Sequence, residues 1–241
     1  MILRKVLALG LLLALVPLVH VRVHAQAPEP PGLFHYPVVL PPSEFRSSLD
    51  IYFGRIPEDI IEEASYVRAP LFVWDMRFGL PHRFQLLGTI STQIITNHFA
   101  AGLGWVQPFD RLHMEAGYKL AYWFGNLTVG DGFENHANGW FNYFNLGLGY
   151  DFGTLTFTLK GEVSLATSLN TYAGENKTSS ENNFFNGGSA ALLMETPLWK
   201  DQYVTVGFRY NYIKFFFPTW PLFPTFNRYY YIPEVILGFR L

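Results

Sequence analysis

Cysteine is absent from the 241 residues, which excludes disulfide scaffolds, thiolate metal sites and a cysteine nucleophile together. The same absence rules out an acylated N-terminal cysteine. Charge is scarce: Asp, Glu, Lys and Arg make up 15% of the chain and leave a net charge of −2. There is no basic block, so nothing points to a nucleic-acid partner. After residue 18, no apolar run approaches the roughly 20 residues of a membrane-spanning helix. Yet 49% of the residues are hydrophobic and 18% aromatic. That apolar content is spread in alternation instead of gathered in blocks, which is the pattern of a barrel that crosses a membrane with strands. At this length one domain is expected.

Residues 1–27 read as a cleaved signal peptide. Arg4 and Lys5 precede an apolar core at 6–16, Pro17 breaks it, and Ala25 and Ala27 supply the small residues of a cleavage site. The mature chain is therefore expected to be exported. Residues 28–47 carry Pro28, Pro30, Pro31, Pro37, Pro41 and Pro42. Proline favours extended chain and removes a ladder donor, so this stretch is expected to lead into the fold without joining a sheet.

The fold itself is expected over 48–241. Leu49, Ile51 and Phe53 alternate with Asp50 and Tyr52 in a short first strand. At 56–64, Pro57 followed by Glu58, Asp59, Glu62 and Glu63 reads as one or two helical turns. Those acids could hold Ca²⁺, but acids at a helix start already have a structural reason. Beyond them the period of two becomes regular. Phe72, Trp74 and Met76 oppose Val73, Asp75 and Arg77; Phe84, Leu86 and Ile90 oppose Gln85, Thr89 and Ser91. The clearest strand has Leu112, Met114, Ala116, Tyr118, Leu120, Tyr122 and Phe124 on one face, against His113, Glu115, Gly117, Lys119 and Trp123. Further strands are expected at 140–152, 154–167, 188–198, 203–214 and 229–241, about ten in all. Loops at 55–65, 126–138, 168–186 and 215–228, with a tight reversal at 96–98, fall on one side. Short turns at 79–83, 108–111, 151–153 and 199–202 fall on the other. Long loops at one end and short turns at the other is the asymmetry of membrane barrels.

The chain closes on Val235-Ile236-Leu237-Gly238-Phe239-Arg240-Leu241, whose odd positions are all apolar. This ending, the export signal, the period-two strands and the loop asymmetry resemble the small, mostly uncharacterised outer-membrane β-barrel proteins of Gram-negative bacteria. The terminal Leu241 departs from that pattern, where an aromatic residue is usual. The resemblance implies a closed antiparallel up-and-down barrel, with 28–47 as a periplasmic lead-in. It also implies outer-membrane lipid and lipopolysaccharide as surroundings, and recognition of the last strand by the barrel-assembly machinery.

With the apolar face toward lipid, the inward charges are Asp50, Asp75, Glu115, Glu162, Glu195 and Glu234 against Arg77, Lys119, Lys160, Arg209 and Arg240. Such a balanced set inside a narrow barrel is expected to pair, as a polar plug or as the lining of a narrow pore for a small solute. Phe215, Phe216, Phe217, Trp220, Phe223 and Phe226 form an aromatic extracellular loop, either seated against the rim or forming a mouth for an apolar ligand. A lipid-modifying enzyme would need a hydroxyl beside an oriented His, for which His113, Glu115 and Ser164 are the candidates. A rim protease would draw on His98, Asp131, Glu134 and His136. No nucleophile motif surrounds any Ser, and no cofactor or metal is expected. The reading favoured is non-enzymatic: envelope structure, surface binding or limited permeation.

Overall fold

The computed structural model describes residues 33–55, 70–129, 133–199, 202–222 and 228–241. Ten strands are formed: β1 (Phe45–Gly54), β2 (Pro70–Gly79), β3 (Phe84–Gln93), β4 (Thr96–Phe109), β5 (Leu112–Val129), β6 (Phe133–Asp151), β7 (Thr156–Ala173), β8 (Asn176–Trp199), β9 (Gln202–Ile213) and β10 (Tyr230–Arg240). Each pairs antiparallel with its sequence neighbours, and β1 pairs with both β2 and β10. The sheet is therefore a closed barrel with no open strand pair around its girth. The helical turns expected at 56–64, with Glu58, Asp59, Glu62 and Glu63, lie outside the described residues.

The alternation decides which way each strand faces. Leu120, Phe208 and Phe239 are exposed on the outer surface, while Glu115, Glu195 and Glu234 are buried within. An apolar exterior that continues around a whole barrel far exceeds the few hundred Å² of greasy patch tolerated on a soluble monomer. The inside is polar at mid-height. Among the described residues, no helix is long and apolar enough to cross a membrane.

Three expectations are corrected. First, the segments 126–138 and 168–186 are mostly strand, not loop. β5 to β8 run 18, 19, 18 and 24 residues, well beyond the roughly 9–11 that cross a bilayer. Their outer halves are polar because they stand clear of the apolar belt, where backbone pairing persists without a greasy face. Bulges between Trp140 and Phe141, Ser164 and Leu165, and Thr171 and Tyr172 absorb the shift in register. Second, the reversal expected at 96–98 is made by Ile94 and Ile95, with Ile94 fully exposed. Thr96 and His98 belong to β4 and point inward, where Thr96 accepts a hydrogen bond from the Trp123 indole. Third, the proline-rich lead-in does not stay outside: residues 33–40 enter the barrel at its short-turn end and are almost wholly buried there.

Candidate functional site

Two chain segments occupy the lumen, one at each mouth. The inner one is 33–40. Glu195, on β8 and 1% exposed, turns its carboxylate onto three consecutive backbone N–H groups. Phe34 and His35 donate to Oε1 at 2.7 and 3.0 Å, and Tyr36 donates to Oε2 at 2.6 Å. A buried carboxylate is tolerated when its lone pairs are filled this way. The Gln85 amide donates to the Val38 carbonyl, and the Tyr36 hydroxyl donates to the Arg111 carbonyl at 3.1 Å. The Arg77 guanidinium lies 5.3 Å from the centre of the Phe34 ring. Room for the segment comes from missing side chains: a Cβ on Gly149 would collide with Tyr36 and Pro37.

The outer segment is the loop after β9. Phe215, Phe216 and Trp220 fold down into the mouth and join Trp123, Phe141, Leu169 and Ile232 in one apolar cluster. Trp123 meets Phe215 edge-on at 5.0 Å and Trp220 at 6.0 Å. Asn186 clamps the loop's base, accepting from the Phe215 N–H at 2.9 Å and donating to the Phe215 carbonyl at 3.2 Å. Gly125 sits beneath Trp220, where a Cβ would strike the indole nitrogen. Phe217 lies parallel to His98 at 4.8 Å. Phe223 and Phe226 lie outside the described residues.

Between the two segments remains a cavity of about 190 Å³. Asp75, Glu115, Glu162 and Glu234 line it together with Arg77, Lys119, Lys160 and Arg209. Arg77 binds Glu115 at 2.8 Å. Arg209 reaches Glu162 at 2.9 Å and Glu234 at 4.0 Å, and Lys119 is 3.9 Å from Glu162. Glu234 also accepts from Asn211 at 2.8 Å. The remaining three of the charged set stand elsewhere: Asp50 meets His35, Glu195 holds the inner segment, and Arg240, opposite Ser48 near the end of β10, does not line the cavity. Except for Arg209 and Glu234, which face each other across β9 and β10, the pairs join β2 to β5, β5 to β7 and β7 to β9, strands that are not neighbours in the sheet, so strand order alone does not announce them.

His35, which sequence reasoning did not single out, comes within reach of Asp50 and Asp75 as a three-donor cluster. Its Nε2 is 3.2 Å from Asp50, and its Nδ1 is 3.2 Å from the Lys160 Nζ. An ammonium can only donate, so Nδ1 accepts and Nε2–H donates to Asp50. A metal on Nε2 would need Nδ1 to carry the proton, which the Lys160 contact opposes. Charge pairing therefore accounts for the cluster without an ion.

The residues considered for hydrolysis are not brought together. Both ring nitrogens of His113 face backbone carbonyls, of Pro37 at 2.6 Å and Asp110 at 3.2 Å, which leaves neither to accept a proton from a nucleophile. Glu115 is spent on Arg77, and Ser164 contacts Asn186 at 3.4 Å. Of the rim set, His98 is inside the lumen, whereas His136 stacks on Tyr172 at 4.4 Å in the protruding hairpins. Asp131 lies outside the described residues.

No protein-family model and no curated protein matches the chain. Among solved structures, it is similar to Neisserial surface protein A, at 12% identity with a TM-score of 0.34, over 82% of this chain and 96% of that one. It is likewise similar to the translocator domain of the autotransporter NalP of Neisseria meningitidis, at 10% identity and 0.42, over 81% and 86%. A third is outer membrane phospholipase A of Escherichia coli, at 13% and 0.38, over 83% and 97%.

The chain is a closed antiparallel β-barrel of ten strands.

Within that fold, the features particular to this barrel are the two inserted segments and the charged chamber between them.

Proposed function

We propose that the protein is an integral outer-membrane barrel whose lumen is held shut at rest, a closed polar compartment instead of an open pore. The apolar outer face is covered by lipid and lipopolysaccharide, the long hairpins β5–β6 and β7–β8 stand on the cell surface, and the short turns face the periplasm. The export signal and the assembly role of the last strand belong to this reading, as does the absence of a catalytic task. The observation that carries it is the insertion of residues 33–40 onto the buried Glu195 carboxylate. A segment that leaves water with its backbone groups individually satisfied is docked, not trapped. An apolar-ligand mouth is less well supported, because Phe215, Phe216 and Trp220 already spend their greasy surface against Trp123 and Phe141.

Planar-bilayer recording of the refolded mature protein tests the proposal. Electrical silence over long recordings is the expected outcome. Sustained conductance steps from the unmodified protein would mean that the lumen is a pore.

A further inference from the structure

The inner stopper is gripped by side chains of the barrel wall, not by the backbone of the sheet. The N–H groups of Phe34, His35 and Tyr36 go to Glu195, and Pro37, which has no N–H, ends the run of donors. The Leu33 carbonyl accepts from Arg46 at 3.1 Å, the Pro37 carbonyl from His113 at 2.6 Å, and the Val38 carbonyl from Gln85. None of these bonds belongs to a strand ladder, and the barrel closes without them. The wall also reads the segment residue by residue. Phe34 lies under the Arg77 guanidinium. His35 donates from Nε2 to Asp50 and accepts at Nδ1 from Lys160, each at 3.2 Å. A ring with one donor and one acceptor nitrogen meets both needs; a phenyl ring would meet neither. Tyr36 packs on the His113 ring at 4.8 Å, and its hydroxyl donates to the Arg111 carbonyl. Toward β1 the segment is tied through one turn, where Ser43 stands at φ 71° and donates to the Gly79 carbonyl at 3.0 Å.

We propose that the inner mouth is a recognition site for an extended peptide, and that residues 33–40 are its tethered occupant, exchangeable for a peptide supplied in trans. The ligand class is a short extended segment with an aromatic–His–aromatic–Pro core, offered from the short-turn side. Main-chain bonds supply the affinity and side-chain pockets the specificity, as in other modes of peptide recognition. The gripping side chains stand on β1, β2, β3, β5, β7 and β8, strands that the closed ladder holds in place with or without the segment. The tether keeps the site filled at rest, because a short linker holds its ligand at an effective concentration of roughly millimolar. This inference rests on the closed-lumen reading above, whose inner stopper it makes replaceable.

The test uses the whole mature chain with a protease recognition sequence inserted between Pro42 and Ser43. After refolding in detergent the chain is cut there, which leaves the segment bound but untethered. A fluorescently labelled synthetic peptide of residues 33–40 is then added, and its anisotropy is followed. The expected result is saturable binding to the cut protein, and binding about tenfold or more weaker to the uncut one. A His35→Phe peptide should bind the cut protein about tenfold more weakly, and a scrambled peptide should not saturate. Glu195→Gln in the barrel should weaken binding by a similar factor, because its amide nitrogen turns a donor toward the N–H groups. The His35→Phe peptide probes the same site without touching the fold of the barrel. The proposal is overturned by no saturable binding to the cut protein, by equal binding of the scrambled peptide, or by an affinity that neither substitution changes. If the uncut protein is silent in bilayers yet the cut protein ignores the peptide, the exchange inference alone falls. If the uncut protein conducts, the closed-lumen reading falls first.

Discussion

At the short-turn end the barrel is stopped by a hydrogen-bonded peptide segment, residues 33–40, whereas at the long-hairpin end it is stopped by an aromatic loop, and the two are retained by different forces. The inner stopper depends on a few directional contacts that converge on one carboxylate, Glu195. Hydrogen bonds to a charged group contribute about 1.5–3 kcal/mol each, so most of its attachment is concentrated in one side chain. The outer stopper depends on ring packing shared among Trp123, Phe141, Phe215 and Trp220. Each aromatic pair adds about 0.5–1.5 kcal/mol beyond its buried area, and no single contact dominates. A concentrated attachment can be released at one point; a distributed one loosens gradually. The inner segment is therefore built like a latch and the outer loop like a core.

The largest effect should come from removing the latch altogether. Deleting residues 33–42 leaves β1, which begins at Phe45, and every strand pair intact, so the barrel should still form. Stepwise conductance in planar bilayers is the expected gain, against silence in the parent. If the deletion variant stays silent, the aromatic loop suffices as a seal. Next in size is Glu195→Ala, which strips the acceptor from three buried N–H groups. Three unsatisfied buried donors at about 1–3 kcal/mol each should cost docking about 4 kcal/mol, roughly a thousandfold in the ratio of inserted to released segment. Chymotrypsin followed by mass spectrometry reads this directly: cleavage after Phe34 should be blocked in the parent and rapid in the variant. Equal protection in both would show that Glu195 is not the anchor.

The outer stopper should respond differently. Trp220→Ala removes a buried indole at a cost of about 3 kcal/mol, visible as a lower midpoint in denaturant. The variant should nevertheless remain silent in bilayers, because the inner segment is untouched. Conductance from Trp220→Ala would reverse the ranking of the two stoppers.

How much of this can be read from the sequence follows from the same contrast. Period-two alternation is local, and it is enough to set ten strands and to put Glu115, Lys119 and Arg209 on the inner face. It also marks the aromatic run at 215–220. What alternation cannot carry is a contact whose partners are far apart in the chain and not neighbours in the sheet. Phe34 and Glu195 are separated by 161 residues, and the segment that holds Phe34 has no periodicity of its own. The one available hint was steric: Gly147 and Gly149 at consecutive inward positions of β6 leave a gap that something must fill. The outer halves of β5 to β8 were hidden for another reason, since strands beyond the apolar belt no longer carry one greasy face. The reversal at Ile94 and Ile95 was hidden because polarity suggested a turn at Thr96 and His98, whose polarity instead serves the lumen.

The smallest effect is expected where the inner stopper meets the ion pairs. Arg77 binds Glu115 at 2.8 Å and lies over the Phe34 ring, so the network and the latch touch at one side chain. Removing either partner alone strands a buried charge, at about 3–5 kcal/mol. Replacing both, as Arg77→Met with Glu115→Leu, removes the desolvation penalty along with the attraction and is often close to neutral. What remains lost is the cation–ring contact, on the order of 1 kcal/mol. The double variant should therefore match the parent in denaturant within about 1 kcal/mol, and chymotrypsin should cleave after Phe34 only a few times faster. A rate near that of Glu195→Ala would mean that the segment is held by the charge network as a whole. The latch would then be distributed like the aromatic loop, and the distinction between the two ends would dissolve.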